Sequence, residues 1–178
     1  MNSIVQHGYQ RVGVFVDVQN LYYSARHHYN KKVNFKALLE EAVQGRRLIR
    51  AITYSIKADV KEESNFHDML TGIGFEVRLK DLQIFSDGSK KGDWDVGMAM
   101  DAIRMSKKLD TIVLVSGDGD FVDLIEYLRA QGCRVEVIAI AKSASAALRE
   151  HADMFTDLGE KPRKFLTSLK PRRTKKKS

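Results

Sequence analysis

The chain alternates short apolar runs with longer stretches whose apolar residues recur every three or four positions. The runs Val12-Gly13-Val14-Phe15-Val16 and Thr111-Ile112-Val113-Leu114-Val115 are apolar at nearly every position. That pattern fits strands covered on both faces. A first strand is predicted over 11–18, others over 48–56, 75–79, 111–115 and 134–140. Leu82-Gln83-Ile84-Phe85 reads as an extension of the third, and Met154 to Leu158 as an edge strand. Helical spacing covers 34–44, with Asn34 as its cap and Leu38, Leu39, Ala42 and Val43 inward. It also covers 61–72, with Phe66, Met69 and Leu70 inward. Further helices are predicted from near Asn20, near 94–107, and over 120–131 and 144–151. This alternation predicts an α/β fold, a three-layer α/β/α sandwich with a mostly parallel central sheet.

Composition narrows the class. The 178 residues, 43% of them hydrophobic, suit one domain with a sizeable core. No stretch approaches the roughly 20 apolar residues of a membrane span. Met1 to Gln10 lacks the basic start and apolar centre of a signal peptide. Cys133, the one cysteine, cannot form an internal disulfide and reads as packing. The expected setting is therefore a reducing cytoplasm. The net charge of +7 changes the picture once it is divided. Residues 161–178 hold nine Lys or Arg and no acid, leaving 21 bases against 23 acids in residues 1–160. The expected organisation is a near-neutral domain over 1–160 and a basic tail over 161–178. Such a tail suits a polyanion or serves as a solubilising end. The helix-like spacing of Phe165, Leu166 and Leu169 would let part of it dock on the domain.

The candidate chemistry lies where the strands end. Ser116-Gly117-Asp118-Gly119-Asp120 follows the strand at 111–115, Asp17 closes the first strand, and Asp93 and Asp95 open the helix near 94–107. In open α/β sheets, ligands bind at the C-terminal ends of the strands. Several acids converging there repel one another unless a cation joins them. No Cys or His pair has zinc spacing, and an all-oxygen donor set suits Mg²⁺ or Mn²⁺. P-loop, dinucleotide and Ser/His/Asp signatures are missing from the sequence. Each acid also suits a helix N-terminus: Asp17 for the helix near Asn20, Asp118 or Asp120 for the next, Asp93 or Asp95 for a third. Asn20 could orient Asp17 or simply cap. Ser116 could donate to a carboxylate or phosphate, or merely fit a tight turn. Asp101 lies about 120° around the helix from Asp95, so both cannot face one ion equally.

Together these residues resemble the NYN domain of the PIN-like nuclease superfamily, and within it the bacterial LabA-like branch. The resemblance rests on Val14-Phe15-Val16-Asp17-Val18-Gln19-Asn20, on Lys91-Gly92-Asp93-Trp94-Asp95-Val96 with Ala99-Met100-Asp101-Ala102, on Leu114 to Phe121, and on Leu148 to Leu158. It covers residues 10–158. The family's Lys-Gly-Val-Asp is one residue longer here, and Asp95 is preferred to Asp93 because Val96 and the helix follow it. The resemblance implies a Mg²⁺- or Mn²⁺-dependent endoribonuclease with Asp17, Asp95, Asp118 and Asp120 as metal ligands and catalytic residues. Asn20, Ser116 and Asp93 would support them. Lys90, Lys91, Arg172, Arg173, Lys175, Lys176 and Lys177 are the candidates for holding the RNA backbone, with Arg104 behind them. Tyr22 or Tyr23 could stack on a base. The alternative is a non-catalytic RNA-binding or regulatory module that retains the acidic pocket. A haloacid-dehalogenase-like phosphatase would need an acid where Gln19 stands. The expected partner is RNA and not a membrane, and a homo-oligomer stays open.

Overall fold

The computed structural model describes residues 7–57, 61–88 and 90–169, with the backbone alone for 61–63, 90 and 91. Strand β1 (Arg11–Asp17) runs into helix α1 (Val18–Tyr29), followed by β2 (Lys31–Val33), α2 (Phe35–Val43), β3 (Arg47–Lys57), α3 (Lys61–Ile73) and β4 (Glu76–Asp81). A short ribbon of β5 (Gln83–Ile84) and β6 (Lys90–Lys91) leads to α4 (Asp95–Ser106) and β7 (Thr111–Val115). A 3-10 turn (Gly119–Phe121) enters α5 (Val122–Ala130), and β8 (Arg134–Ala139), α6 (Ala146–His151) and β9 (Met154–Asp157) follow. The described chain closes with α7 (Pro162–Phe165) and β10 (Leu166–Ser168). None of the described helices is long and apolar enough to cross a membrane.

The main sheet has six strands in the order β4-β3-β1-β7-β8-β9, and every pairing in it is parallel. Side chains alternate across each strand. Val12, Val14, Val16, Val113 and Val115 face a layer formed by α1, α2 and α3. Phe15, Ile112, Leu114, Val135 and Val137 face a layer containing α4, α5 and α6. The three-layer expectation is therefore met. From β1 the chain winds outward through β3 to β4, then α4 carries it back to β7 on the other side of β1. The winding direction reverses between β1 and β7, and adjacent crossovers leave on opposite faces. That reversal opens a crevice at the C-terminal edge of the sheet.

Most predicted elements form close to their expected limits, with three corrections, and Met69, expected inward on α3, is exposed. Leu82 to Phe85 does not extend β4, because Asp81 opposite Lys57 ends the pairing. Instead β5 turns back through Gly88 (φ 81°) and pairs antiparallel with β6. The first helix starts at Val18 rather than at Asn20, with Asp17 as its N-cap. Phe165, Leu166 and Leu169 do not share one helix: α7 stops at Phe165 and β10 pairs antiparallel with β2. The docking itself is real. Phe165 and Leu166 are buried, the Asn34 amide N–H donates to the Phe165 carbonyl at 2.7 Å, and Lys164 pairs with Glu41. Cys133 is buried, as its packing role required.

This docking separates two truncations. Ending the chain after Leu169 should leave the urea midpoint unchanged. Phe165→Ala should lower stability by about 3–5 kcal/mol, as expected for emptying a buried aromatic site, and ending the chain after Glu160 should also destabilise. Equal midpoints for all four proteins in urea denaturation would refute the packed role of 162–168.

Candidate metal centre

The crevice between β1 and β7 brings the predicted acids together. β1 delivers Asp17 at its last residue, and the turn after β7 delivers Asp118 and Asp120. Asp95 enters from the first turn of α4. Carboxylate oxygens of Asp95, Asp118 and Asp120 lie within 4.8 Å of one another. Asp17 stands beside this trio and is tied to the same turn. Its Oδ1 accepts from the Asn20 N–H at 3.1 Å and its Oδ2 from the Ser116 hydroxyl at 3.2 Å. The Ser116 oxygen in turn accepts from the Asp118 N–H at 3.2 Å. Asp118 caps the 3-10 turn by accepting from the Asp120 N–H at 3.0 Å. Capping and clustering therefore coexist, since each carboxylate has two oxygens and a cap uses one.

Backbone packing fixes the turn. The Asn20 side chain accepts from the Gly117 N–H at 2.9 Å, joining α1 to the end of β7. The Gly117 carbonyl accepts from the Ser145 N–H at 3.0 Å. A Cβ on Gly117 would come within 3.0 Å of the Ala144 Cα, so a side chain there would push the loop before α6 away. Asn20 and Ser116 thus hold the acids in place.

Electrostatics at this edge is one-sided. Burial, followed by the charges of Asp118, Asp17, Asp93 and Asp120, raises the Asp95 carboxyl to about 6. Burial and then Asp118 raise Asp17 against its bonds from Asn20 and Ser116. No cation forms an ion pair with these four acids among the described residues. Hard carboxylate oxygens in mutual repulsion are a donor set that fits a divalent cation such as Mg²⁺ or Mn²⁺. Asp93 lies outside the trio and acts on Asp95 through its charge. Asp101, on the same helix as Asp95, points elsewhere: it is buried, accepts from the Tyr54 hydroxyl at 2.8 Å and pairs with Arg78 at 2.7 Å. Arg104 lies 3.7 Å from Asp101.

Trp94 is a positioning residue that the sequence pattern did not reveal. Its indole N–H donates to the Ser55 carbonyl at 2.8 Å, and its ring packs against Tyr54 with centroids 5.3 Å apart. A Cβ on Gly97 would lie 2.6 Å from the Trp94 ring, so the ring needs that glycine. Trp94 pins the start of α4 to the end of β3 and thereby fixes Asp95. A lone tryptophan beside a suspected ligand was the available signal. Lys90 and Lys91 form β6, while Arg172, Arg173, Lys175, Lys176 and Lys177 lie outside the described residues.

The sequence profile of the NYN domain matches residues 11–159. The chain belongs to the NYN domain family. The LabA-like assignment agrees with one curated relative. The chain is 29% identical over 161 residues to "Low amplitude and bright protein LabA" of Synechococcus elongatus, covering 84% of each protein. An uncharacterised protein of Methanocaldococcus jannaschii is 36% identical over 80 residues, which span 44% of this chain and 33% of that one. Among solved structures, a protein of unknown function from Vibrio parahaemolyticus superposes with a TM-score of 0.83 and 34% identity, over 92% of this chain and all of the other. The NYN domain is part of the PIN-like nuclease superfamily, and this member carries an acidic cluster able to hold a metal ion.

The raised Asp95 pKa gives a signed pH dependence. A carboxyl raised in the fold costs nothing below its unfolded value near 4 and costs most above about 6. Asp95→Asn should therefore raise the melting temperature of the metal-free protein at pH 7.5, and much less at pH 5. Mn²⁺ should raise the wild-type melting temperature more at pH 7.5 than at pH 5, and less in the variant. Melts showing equal shifts at both pH values would remove the repulsion argument.

Proposed function

We propose that the protein is a metal-dependent ribonuclease hydrolysing RNA phosphodiester bonds at the edge formed by Asp17, Asp95, Asp118 and Asp120. The observation that carries this reading is the convergence of three carboxylates within 4.8 Å at the reversal point of the sheet, with Asp95 raised to about 6. An arrangement that destabilises itself when empty is best explained by a cation it is built to receive. Asp95, Asp118 and Asp120 would hold Mg²⁺ or Mn²⁺ directly, with Asp17 completing the set from the other strand. When bound, the ion supplies positive charge for phosphate oxygens and lowers the pKa of an attacking water. The chain's own part is to hold those oxygens still. Ser116 couples Asp17 to Asp118, Asn20 locks the Gly117 peptide, and Trp94 fixes the entry of Asp95. Lys90, Lys91 and the tail residues Arg172, Arg173, Lys175, Lys176 and Lys177 would contact phosphates without reading sequence.

The test uses labelled single-stranded and structured RNAs with Mn²⁺, Mg²⁺ or EDTA. Cleavage should require the metal. Asp118→Asn should lower the rate by at least about a hundredfold, since even indirect changes around a metal cost 10–100-fold. RNA affinity should hold or rise slightly, because a negative charge near the phosphate is gone. Removing residues 170–178 should weaken binding and flatten its salt dependence through reduced counterion release, while cleavage at saturating RNA persists. Metal-dependent thermal stabilisation and RNA binding without any cleavage would instead assign a non-catalytic RNA-binding or regulatory module.

A further inference from the structure

Helix α1 leaves the acidic edge and lies across the tips of the neighbouring strands. Asn20 bonds the turn after β7, and the Ser143 hydroxyl beyond β8 donates to the Ser24 hydroxyl at 2.8 Å. The Tyr29 side chain packs against Gly159, beyond β9. Val18, Leu21, Ser24 and Ala25 form the buried side of the helix. At 100° per residue, Gln19, Tyr22, Tyr23 and Arg26 fall together on the opposite side. Tyr22 and Tyr23 are 51% and 63% exposed and meet edge to face, with centroids 5.4 Å apart. No acid occurs anywhere in α1. Beyond its last turn, with Arg26, His27 and His28, come Lys31 and Lys32. Arg26, Lys31 and Lys32 make no ion pair among the described residues.

The docked tail continues this line. In β10, Ser168 pairs with Lys31, so the chain runs toward the far end of α1 as it approaches the basic segment beginning at Lys170. From the acids, α1 thus leads past two exposed phenolic rings to Arg26, Lys31 and Lys32, which make no ion pair among the described residues. Two adjacent exposed aromatic residues gain little from water, and unpaired cations in a row attract a polyanion. Duplex bases are already stacked on one another and cannot use the rings, whereas unpaired bases can.

We infer that the outer side of α1 is a track for single-stranded RNA, with bases stacked on Tyr22 and Tyr23 and phosphates held by Arg26 and Lys32. This deepens the reading of the acidic edge as an RNA-cleaving site and rests on it for the direction in which the strand is led. The track delivers an unpaired strand to the acids, so the favoured substrate is single-stranded.

Fluorescence anisotropy of the full chain in EDTA tests this, using labelled oligouridine, oligoadenosine, the same lengths of single-stranded DNA, and an RNA duplex. Single-stranded RNA should bind more tightly than duplex. Tyr22→Ala with Tyr23→Ala should weaken it by roughly tenfold per tyrosine. Tyr22→Phe with Tyr23→Phe should stay within about threefold of wild type, because the rings remain. Arg26→Gln with Lys32→Gln should reduce the slope of log K against log salt by about 1.4, two phosphate contacts at roughly 0.7 each. Oligouridine carrying 5-iodouridine should crosslink to the peptide containing Tyr22 and Tyr23. Melting temperatures equal to wild type identify the losses as surface effects. Unchanged affinity in the double alanine variant, failure of the phenylalanine pair to retain affinity in a folded protein, equal binding of duplex, crosslinks confined to 170–178, or no RNA binding by wild type would each overturn the track. DNA binding as tight as RNA would overturn the RNA assignment. Cleavage assays separate this inference from the proposed activity. Cleavage by wild type with unchanged KM in the tyrosine variants would overturn the track and leave the nuclease. Tyrosine-dependent binding without metal-dependent cleavage would leave the track and overturn the nuclease.

Discussion

The parallel pairing of β1 with β7 is the constraint on which the rest of the molecule depends. Val12 to Val16 lie against Thr111 to Val115, and every one of these residues is buried. A pair of strands covered on both faces needs a helical layer on each side, and the chain supplies the two layers in sequence. The winding direction reverses between the two strands, so their C-terminal ends stay open beside the first turn of α1. The site is therefore a by-product of topology, and the acids occupy the one edge that the fold leaves open.

Helix α4 shows how the same residue type is handled in two ways within one element. Asp101 is buried with its charge answered by Arg78, Arg104 and the Tyr54 hydroxyl. That ion pair also ties α4 to β4. Asp95, six residues earlier, has carboxylates as its charged neighbours, and burial followed by their charges pushes it upward. The anchored turn and Trp94 supply the stability that lets the first turn hold an unfavourable charge. Tyr54 serves both, packing on Trp94 and donating to Asp101; burial and that bond keep its phenol protonated well above the usual range.

The sheet was legible because burial on both faces leaves an unmistakable trace: β1 and β7 are apolar at nearly every position. The acids were legible because Asp17 and Asp118-Gly119-Asp120 stand directly where those runs stop. Short pairings left no such trace. Lys31-Lys32-Val33 and Leu166-Thr167-Ser168 are strands only because each has the other, more than a hundred positions away. The β5–β6 ribbon was hidden because Leu82 to Phe85 carries the apolar content of a strand while Asp81 marks where β4 stops pairing. Trp94 was hidden for a related reason, since its partners, Ser55 and Tyr54, come from a strand that sequence order places far from it. Local pattern records burial and capping, whereas these features depend on which distant segment arrives beside them.

The order of strands also has a consequence for synthesis. β1 is made first, yet its neighbour β7 is among the last parts of the core to leave the ribosome. Until residue 115 has emerged, β1 can pair with β3 on one side, while its other side stays a bare row of backbone donors and acceptors flanked by Val14, Phe15 and Val16. Such an edge invites pairing with another nascent chain. The half-made protein is thus most prone to misassociation along the seam that later becomes its crevice, and a chaperone that shields this edge would act where the finished molecule gathers its acids.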